Sequence, residues 1–207
     1  MKKPSVMLWM ITDFSFYPET DSAVSYISSM IEAGVSKVSL RAENNKVSRS
    51  EIINILQILR NRHGKDTIFL HNIHPSQAPE KCREFHFKSD MIPNLPAIRD
   101  QYPHIKIAVS THSSKEYKYA FSEGANAVFY SPLFTPFSKK TDRRPTVSPI
   151  KRKNLYLLGG INTMRAAELI RKGYLFLSGI SLFHEKNAGA KVKYLVSLMN
   201  HQEEQNE

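Results

Sequence analysis

The chain is 207 residues long, 41% hydrophobic and 23% charged, which excludes a long disordered segment, a collagen-like repeat and a coiled coil. Its single cysteine, Cys82, excludes a disulfide scaffold and a cysteine-rich zinc site. The 29 Lys and Arg against 19 Asp and Glu leave a net charge of +10, a surplus that suits phosphate, nucleic acid or an anionic membrane surface.

Lys2 and Lys3 precede the apolar run Val6–Ile11. The run is short for a secretory signal and Asp13 follows with no small-residue cleavage site, so it reads as a first strand. No segment approaches the roughly 18 apolar residues of a membrane span, so a cytoplasmic, soluble protein without a membrane partner is expected. Asp21–Ala33 has helical spacing, with Val24, Ile27, Ser28 and Ile31 on one face. Lys37–Leu40 reads as a second strand. Ser50–Arg62 returns to the helical period through Ile52, Ile55, Leu56 and Leu59, and Ser48 with Glu51 three residues on predicts a capped start. Thr67–Leu70 and Glu84–Phe87 read as strands around a weak helix after Pro75. Pro96–Tyr102 is a short helix and Lys106–Val109 a fifth strand. Ser113–Glu123 is a helix and Ala127–Tyr130 a sixth strand. From Ser131 to Pro149 no periodicity appears, and loops beyond about 12 to 15 residues are usually lids or disordered. Leu155–Leu158 and Tyr174–Leu177 are the last strands, around a helix at Thr163–Lys172. The polar tail from His201 to Glu207 is expected to fray.

Several of these strands are apolar at consecutive positions, as strands buried on both faces are. Strands alternating with helices predict a parallel sheet, and eight such strands predict closure into a (β/α)8 TIM barrel. Gly34, Gly124 and Gly173 each stand between a helix and the next strand, a faint internal repeat. An open doubly wound sheet is the alternative, but Thr12-Asp13-Phe14 stands where its glycine-rich turn would be. No linker divides the chain, so one α/β domain over 1–207 is expected, with its barrel core at 6–183 and no room for a second domain.

Barrel sites are built at the C-terminal ends of the strands. Those ends carry Thr12, Asp13, Arg41, His71, Asn72, Lys88, Ser110, Thr111, His112, Tyr130, Ser131, Gly159, Gly160, Ser178 and Gly179. Gly159-Gly160-Ile161, with Asn162 ready to cap a helix, and Ser178-Gly179-Ile180-Ser181 follow the last two strands, where barrels bind phosphate. The basic stretch with Lys139, Lys140, Arg143 and Arg144 predicts a lid whose Lys139 closes over a second anion. His71, His74, His86 and His112 are acid–base candidates. A metal pair at His71 and His74 lacks a third ligand. The basic residues are dispersed and carry no RNP-like, helix-turn-helix or zinc-finger signal, so nucleic acid is only a remote alternative partner.

Ten segments add a more specific signal. They are Leu8–Asp13, Val38–Arg41, Phe69–Asn72, Phe85–Phe87, Val109–Ser113, Gly124–Val128, Ser131–Phe134, Ser138-Lys139, Gly159–Ile161 and Ser178–Ser181. In this order and spacing, the chain from residue 7 to about 183 resembles the thiamine phosphate synthase and TenI (thiazole tautomerase) family. The resemblance implies a (β/α)8 fold and a transferase of thiamine biosynthesis. That enzyme condenses hydroxymethylpyrimidine diphosphate with a thiazole phosphate and releases pyrophosphate. By resemblance, Arg41 contacts the diphosphate, while Asn72 and Ser110 line the pyrimidine and diphosphate pocket. Ser138 and Lys139 grip pyrophosphate from the lid. The turns at Gly159-Gly160 and Gly179-Ile180-Ser181 hold the thiazole phosphate. Arg41, Lys139 and Ser110 form the catalytic set, and His112 joins the substrate-binding set.

The family also implies Mg²⁺, bound by carboxylates and substrate phosphates. Ile73 stands where the family has a magnesium aspartate, which leaves Asp90 as the metal candidate and the metal site altered. Ser39 stands for a glutamine, Glu43 for a lysine, and Pro132 for the histidine of the tautomerase branch. Two readings stay open: a synthase with a modified metal site, and a TenI-like paralogue that binds or isomerises a thiazole phosphate without synthase activity. A homo-oligomer is compatible with either.

Overall fold

Runs of consecutive apolar residues build the sheet of the computed structural model, which describes residues 7–41, 47–134 and 151–204. The strands are β1 (Met7–Ile11), β2 (Lys37–Leu40), β3 (Ile68–His71), β4 (Glu84–Phe87), β5 (Lys106–Thr111), β6 (Ala127–Tyr130), β7 (Leu155–Leu157) and β8 (Phe176–Gly179). The helices are α1 (Thr20–Ala33), α2 (Arg49–His63), α3 (Leu95–Gln101), α4 (Ser114–Ser122), α5 (Thr163–Arg171) and α6 (Ala188–Glu204). Each strand pairs in parallel with the next, and β8 pairs with β1 through Met7–Met10 against Phe176–Gly179, which closes the barrel. The chain is a (β/α)8 TIM barrel.

The period-two alternation of strands divides the apolar residues between two layers. Trp9, Ile11, Phe69, Ala108, Ala127, Phe129 and Tyr156 fill the barrel interior. Their strand neighbours, among them Leu8, Met10, Val38, Leu70, Phe85, Phe87 and Val109, pack outward against the helices. Trp9 is the hub of the interior, with ring centroids 4.5 Å from Phe69, 4.8 Å from Phe129 and 5.0 Å from Tyr156.

The expected strands all form. β2, β4 and β6 have the expected bounds, and β5 runs on to Thr111. β3 starts and ends one residue later than expected, and β7 ends one residue sooner, at Leu157. β1 starts at Met7, and Val6 lies outside the described residues. β8 begins two residues later than expected, because Gly173 and Tyr174 still bond back to Ile170 and Leu169 of the preceding helix. The segment after Pro75 makes only a 3-10 turn, Pro75–Gln77. Pro79 lacks the N–H that would return to the Pro75 carbonyl and extend it. α6 was not expected from the sequence, and it runs to Glu204, into the tail expected to fray. Val192, Leu195 and Met199, all at 0% exposure, bury one face of it against α1 and α5. Among the described residues, no helix is long and apolar enough to cross a membrane.

The capped start of α2 forms as expected. Ser48 Oγ accepts from Glu51 N–H at 3.2 Å, and Glu51 Oε2 accepts from Ser48 N–H at 2.8 Å. Ser48→Ala should therefore cost about 1 kcal/mol, read as a melting temperature lower by about 2–4 °C. An unchanged melting temperature would mean that the cap contributes nothing.

Candidate functional site

The parallel strands bring their C-terminal ends to one rim, and a cavity of about 470 Å³ opens there. After β1 it is lined by Asp13 and Phe16, after β2 by Arg41, and on β3 and β5 by His71 and Ser110. Ser131, Gly159–Ile161 and Gly179–Ser181 complete it beyond β6, β7 and β8, with Ile11 and Leu158 as apolar wall. A second cavity, of about 330 Å³, lies around Lys151, Arg152, Lys153 and Tyr174, where β7 and β8 begin. The end that carries barrel chemistry is the former.

Beyond β7, Gly159 has φ +101°, and a Cβ there would lie 2.8 Å from Pro132 Cα. Only glycine lets the turns after β6 and β7 come this close. They are joined by Leu133 N–H to the Leu158 carbonyl at 2.8 Å and Phe134 N–H to the Gly159 carbonyl at 3.1 Å. Asn162 caps α5 by accepting from Arg165 N–H at 2.9 Å. Arg165 in turn donates to the Gly160 carbonyl at 2.5 Å, which directs the following Ile161 N–H the opposite way.

The turn after β8 is held by two further anchors. Glu185 accepts from Thr163 N–H at 3.0 Å and Thr163 O–H at 2.8 Å, and Lys191 pairs with it at 2.6 Å. His184 Nδ1–H donates to the Ile180 carbonyl at 2.9 Å, so Nε2 accepts from Tyr17 O–H at 2.7 Å. The ring stacks on Phe16 at 4.2 Å. Burial lowers the proton affinity of His184, which agrees with a neutral ring. The loop after β1 is thereby fastened to the turn that carries Ile180 and Ser181.

Across the cavity, Arg41 Nη2 lies 3.5 Å from Asp13 Oδ2, and the Arg41 N–H donates to Thr12 Oγ1 at 2.9 Å. Burial pushes the Asp13 carboxyl up, but the Ser15 N–H and hydroxyl and the Arg41 guanidinium outweigh it and hold the carboxyl below its usual range. Asp13 is therefore a carboxylate at neutral pH. Ser110 Oγ stands 3.0 Å from His86 Nε2.

Of the residues singled out in the sequence, Asp13, Arg41, His71, Ser110, Ser131, Gly159, Gly160, Gly179, Ile180 and Ser181 thus meet in one cavity. Asn72, His112 and Asp90 are exposed and do not line it. His112 is turned to the Ser131 carbonyl, at 2.8 Å, and Asp90 sits in the 3-10 turn Ser89–Asn94. Ser138 and Lys139, with most of the expected lid, lie outside the described residues, as does Glu43. Phe16, Tyr17, Leu158 and His184 were missed, although Phe16-Tyr17 follows the first strand directly and His184 lies four residues past Ile180.

Mg²⁺ shared with substrate phosphates would take one or two carboxylates at the cavity. The carboxylate that lines the cavity, Asp13, already faces Arg41, and Ile73 follows Asn72. No three His, Cys, Asp or Glu side chains among the described residues group around a common point.

Residues 8–183 match a protein-family model described as thiamine monophosphate synthase. A protein of Aquifex aeolicus (strain VF5) named "Putative thiamine-phosphate synthase 2" is 33% identical over 94 residues, covering 40% of this chain and 48% of that protein. The chain thus matches about half the length of that relative. Among solved structures, thiamine phosphate pyrophosphorylase from Pyrococcus furiosus has a TM-score of 0.71 at 18% identity, covering 96% of this chain and 97% of the other. That of Bacteroides thetaiotaomicron has 0.62 at 18%, covering 94% and 98%. At these identities the two structures share the fold.

Proposed function

The chain belongs to the thiamine monophosphate synthase family, and on that premise we propose that its barrel mouth condenses a thiazole phosphate with hydroxymethylpyrimidine diphosphate. The observation that carries this reading is the meeting of Arg41, Ser110 and both glycine turns in one cavity. The thiazole phosphate rests against Gly159-Gly160 and Gly179-Ile180-Ser181. The diphosphate faces Arg41 and Ser110.

In the reaction, the bond between the pyrimidine methylene carbon and the diphosphate oxygen breaks, and pyrophosphate leaves with the electron pair. The thiazole ring nitrogen supplies the pair for the new carbon–nitrogen bond. A guanidinium aimed at the leaving oxygens offsets the charge that develops there. Ile11, Phe16, Leu158 and Ile180 give the methylene an apolar surround that keeps water from competing for it.

Incubation with both phosphorylated substrates and Mg²⁺ in the buffer should yield thiamine phosphate and pyrophosphate in equal amounts. No product at saturating substrates would overturn the condensation. A second reading has its own support: Asn72 and Asp90 stand outside the cavity and Ile73 is not a carboxylate. On that reading the chain binds or isomerises the thiazole phosphate without condensing it. Calorimetry would then show thiazole phosphate binding with no product. Absence of both binding and product would end the two readings together.

A further inference from the structure

A chain of buried polar groups runs from the barrel interior to the cavity. Ser39 stands in register with Ile11 and points inward, and His86 stands in register with His71 and Ala108. Trp9, Ser39 and His86 are each at 0% exposure. Trp9 Nε1 is 2.8 Å from Ser39 Oγ, Ser39 Oγ is 2.8 Å from His86 Nδ1, and His86 Nε2 is 3.0 Å from Ser110 Oγ. The imidazole is stacked on Phe129 at 4.2 Å and meets the edge of His71 at 4.6 Å, which fixes its plane.

Donor chemistry orients this chain from one end. An indole N–H can only donate, so Trp9 takes a lone pair of Ser39. The Ser39 proton then has His86 Nδ1 as its acceptor. Nδ1 is therefore unprotonated, and in a neutral ring the proton resides on Nε2 and is donated to Ser110 Oγ. The reverse order would leave the proton of a fully buried hydroxyl with no acceptor, which proteins avoid. Burial, then the neighbouring His71 and Arg41, lower the proton affinity of His86 far below the ordinary value, in keeping with a ring that carries one proton.

We propose that Trp9, Ser39 and His86 act as positioning residues that turn the Ser110 hydroxyl proton into the cavity. Ser110 is thereby a fixed donor, selecting ligand atoms that carry a lone pair and no hydrogen. A phosphate oxygen and an unprotonated ring nitrogen share that chemistry. The ligand half of this inference rests on the mouth being the substrate site; the proton order inside the barrel does not.

The test uses the intact protein, labelled with ¹⁵N-histidine, with His86→Gln assigning the signal. His86 should show the neutral Nε2–H pattern. An Nδ1–H or imidazolium pattern overturns the proposal, and that spectrum needs no altered protein. Ser39→Ala should weaken inorganic pyrophosphate binding, read by calorimetry, about 3- to 10-fold, and should weaken it no further when Ser110→Ala is already present. Equal weakening in both backgrounds would mean that Ser39 acts only on the fold, against the proposal. His86→Gln, whose amide nitrogen reaches the place of Nε2, should keep affinity within about threefold, and a loss as large as that of Ser110→Ala counts against it. Should the unaltered protein bind no pyrophosphate, the proposed function loses its diphosphate side, while the spectrum still decides the proton order.

Discussion

Replacing Gly159 by alanine is expected to destabilise the barrel more than replacing Gly179 at the same mouth, where φ is not positive and the nearest contact is a side-chain atom at 3.2 Å. The strain of a non-glycine residue at φ +101° is worth about 1–3 kcal/mol. The new Cβ would also lie 2.8 Å from Pro132 Cα and 3.2 Å from Leu133 N. Both are backbone atoms, held by Leu133 N–H on the Leu158 carbonyl, so they do not yield as a side-chain end would. Overlap of that kind costs about 1–3 kcal/mol more. Gly64 provides the comparison: its φ is +93°, and among the described residues nothing lies within 4 Å of its would-be Cβ. Urea unfolding of the two variants separates backbone strain, which both share, from the close approach, which only Gly159 has. Equal losses would mean that the close approach of the turns after β6 and β7 adds nothing to the cost. On the proposed function the Gly159 variant should also lose affinity for thiazole phosphate, because the turn must shift to admit the methyl group.

Arg41→Met is expected to weaken inorganic pyrophosphate binding by about 10- to 100-fold, from charge-assisted hydrogen bonds of about 1.5–3 kcal/mol. Methionine keeps most of the stem that packs at the rim and removes only the guanidinium. Arg41→Lys should recover part of the loss, since it returns the charge without the planar fork. Thiazole phosphate, which the proposed function puts at the opposite turns, should be affected far less. The contrast between the two ligands is the informative measurement. Unchanged pyrophosphate affinity would remove Arg41 from the diphosphate side. A partial countercurrent comes from Asp13: with the guanidinium gone, its carboxylate still lines the cavity and repels the anion.

The barrel was legible because its strands are apolar at consecutive positions, and β2, β4 and β6 were readable to the residue. The mouth was partly legible for the same reason: once a strand end is known, Arg41, Ser110, Gly159 and Gly179 fall at the rim by topology. α6 escaped notice although Val192, Leu195 and Met199 carry a helical period. Its opening Ala188-Gly189-Ala190 and its polar end blur that pattern. Asn72 and His112 each directly follow a strand, yet they do not line the cavity, because the first residue past a strand can turn either way, and Asp90 is carried off by the 3-10 turn Ser89–Asn94. Asn72 takes φ +55°, which carries it out to solvent. The interior polar chain needed the register: Ser39 and His86 are 47 positions apart, and only barrel closure puts both beside Trp9.

Trp9 has a practical consequence. It is the one tryptophan of the chain, it has no exposure to solvent, and its indole N–H is the first donor in a series that ends at the cavity. The protein therefore carries a built-in optical gauge. Its emission should be that of a dry, aromatic surround while the barrel is closed and should move to longer wavelength when the strands part. A ligand that draws on the Ser110 proton polarises the same series from its far end. Unfolding and occupancy of the mouth can thus be followed with one intrinsic fluorophore and no attached dye.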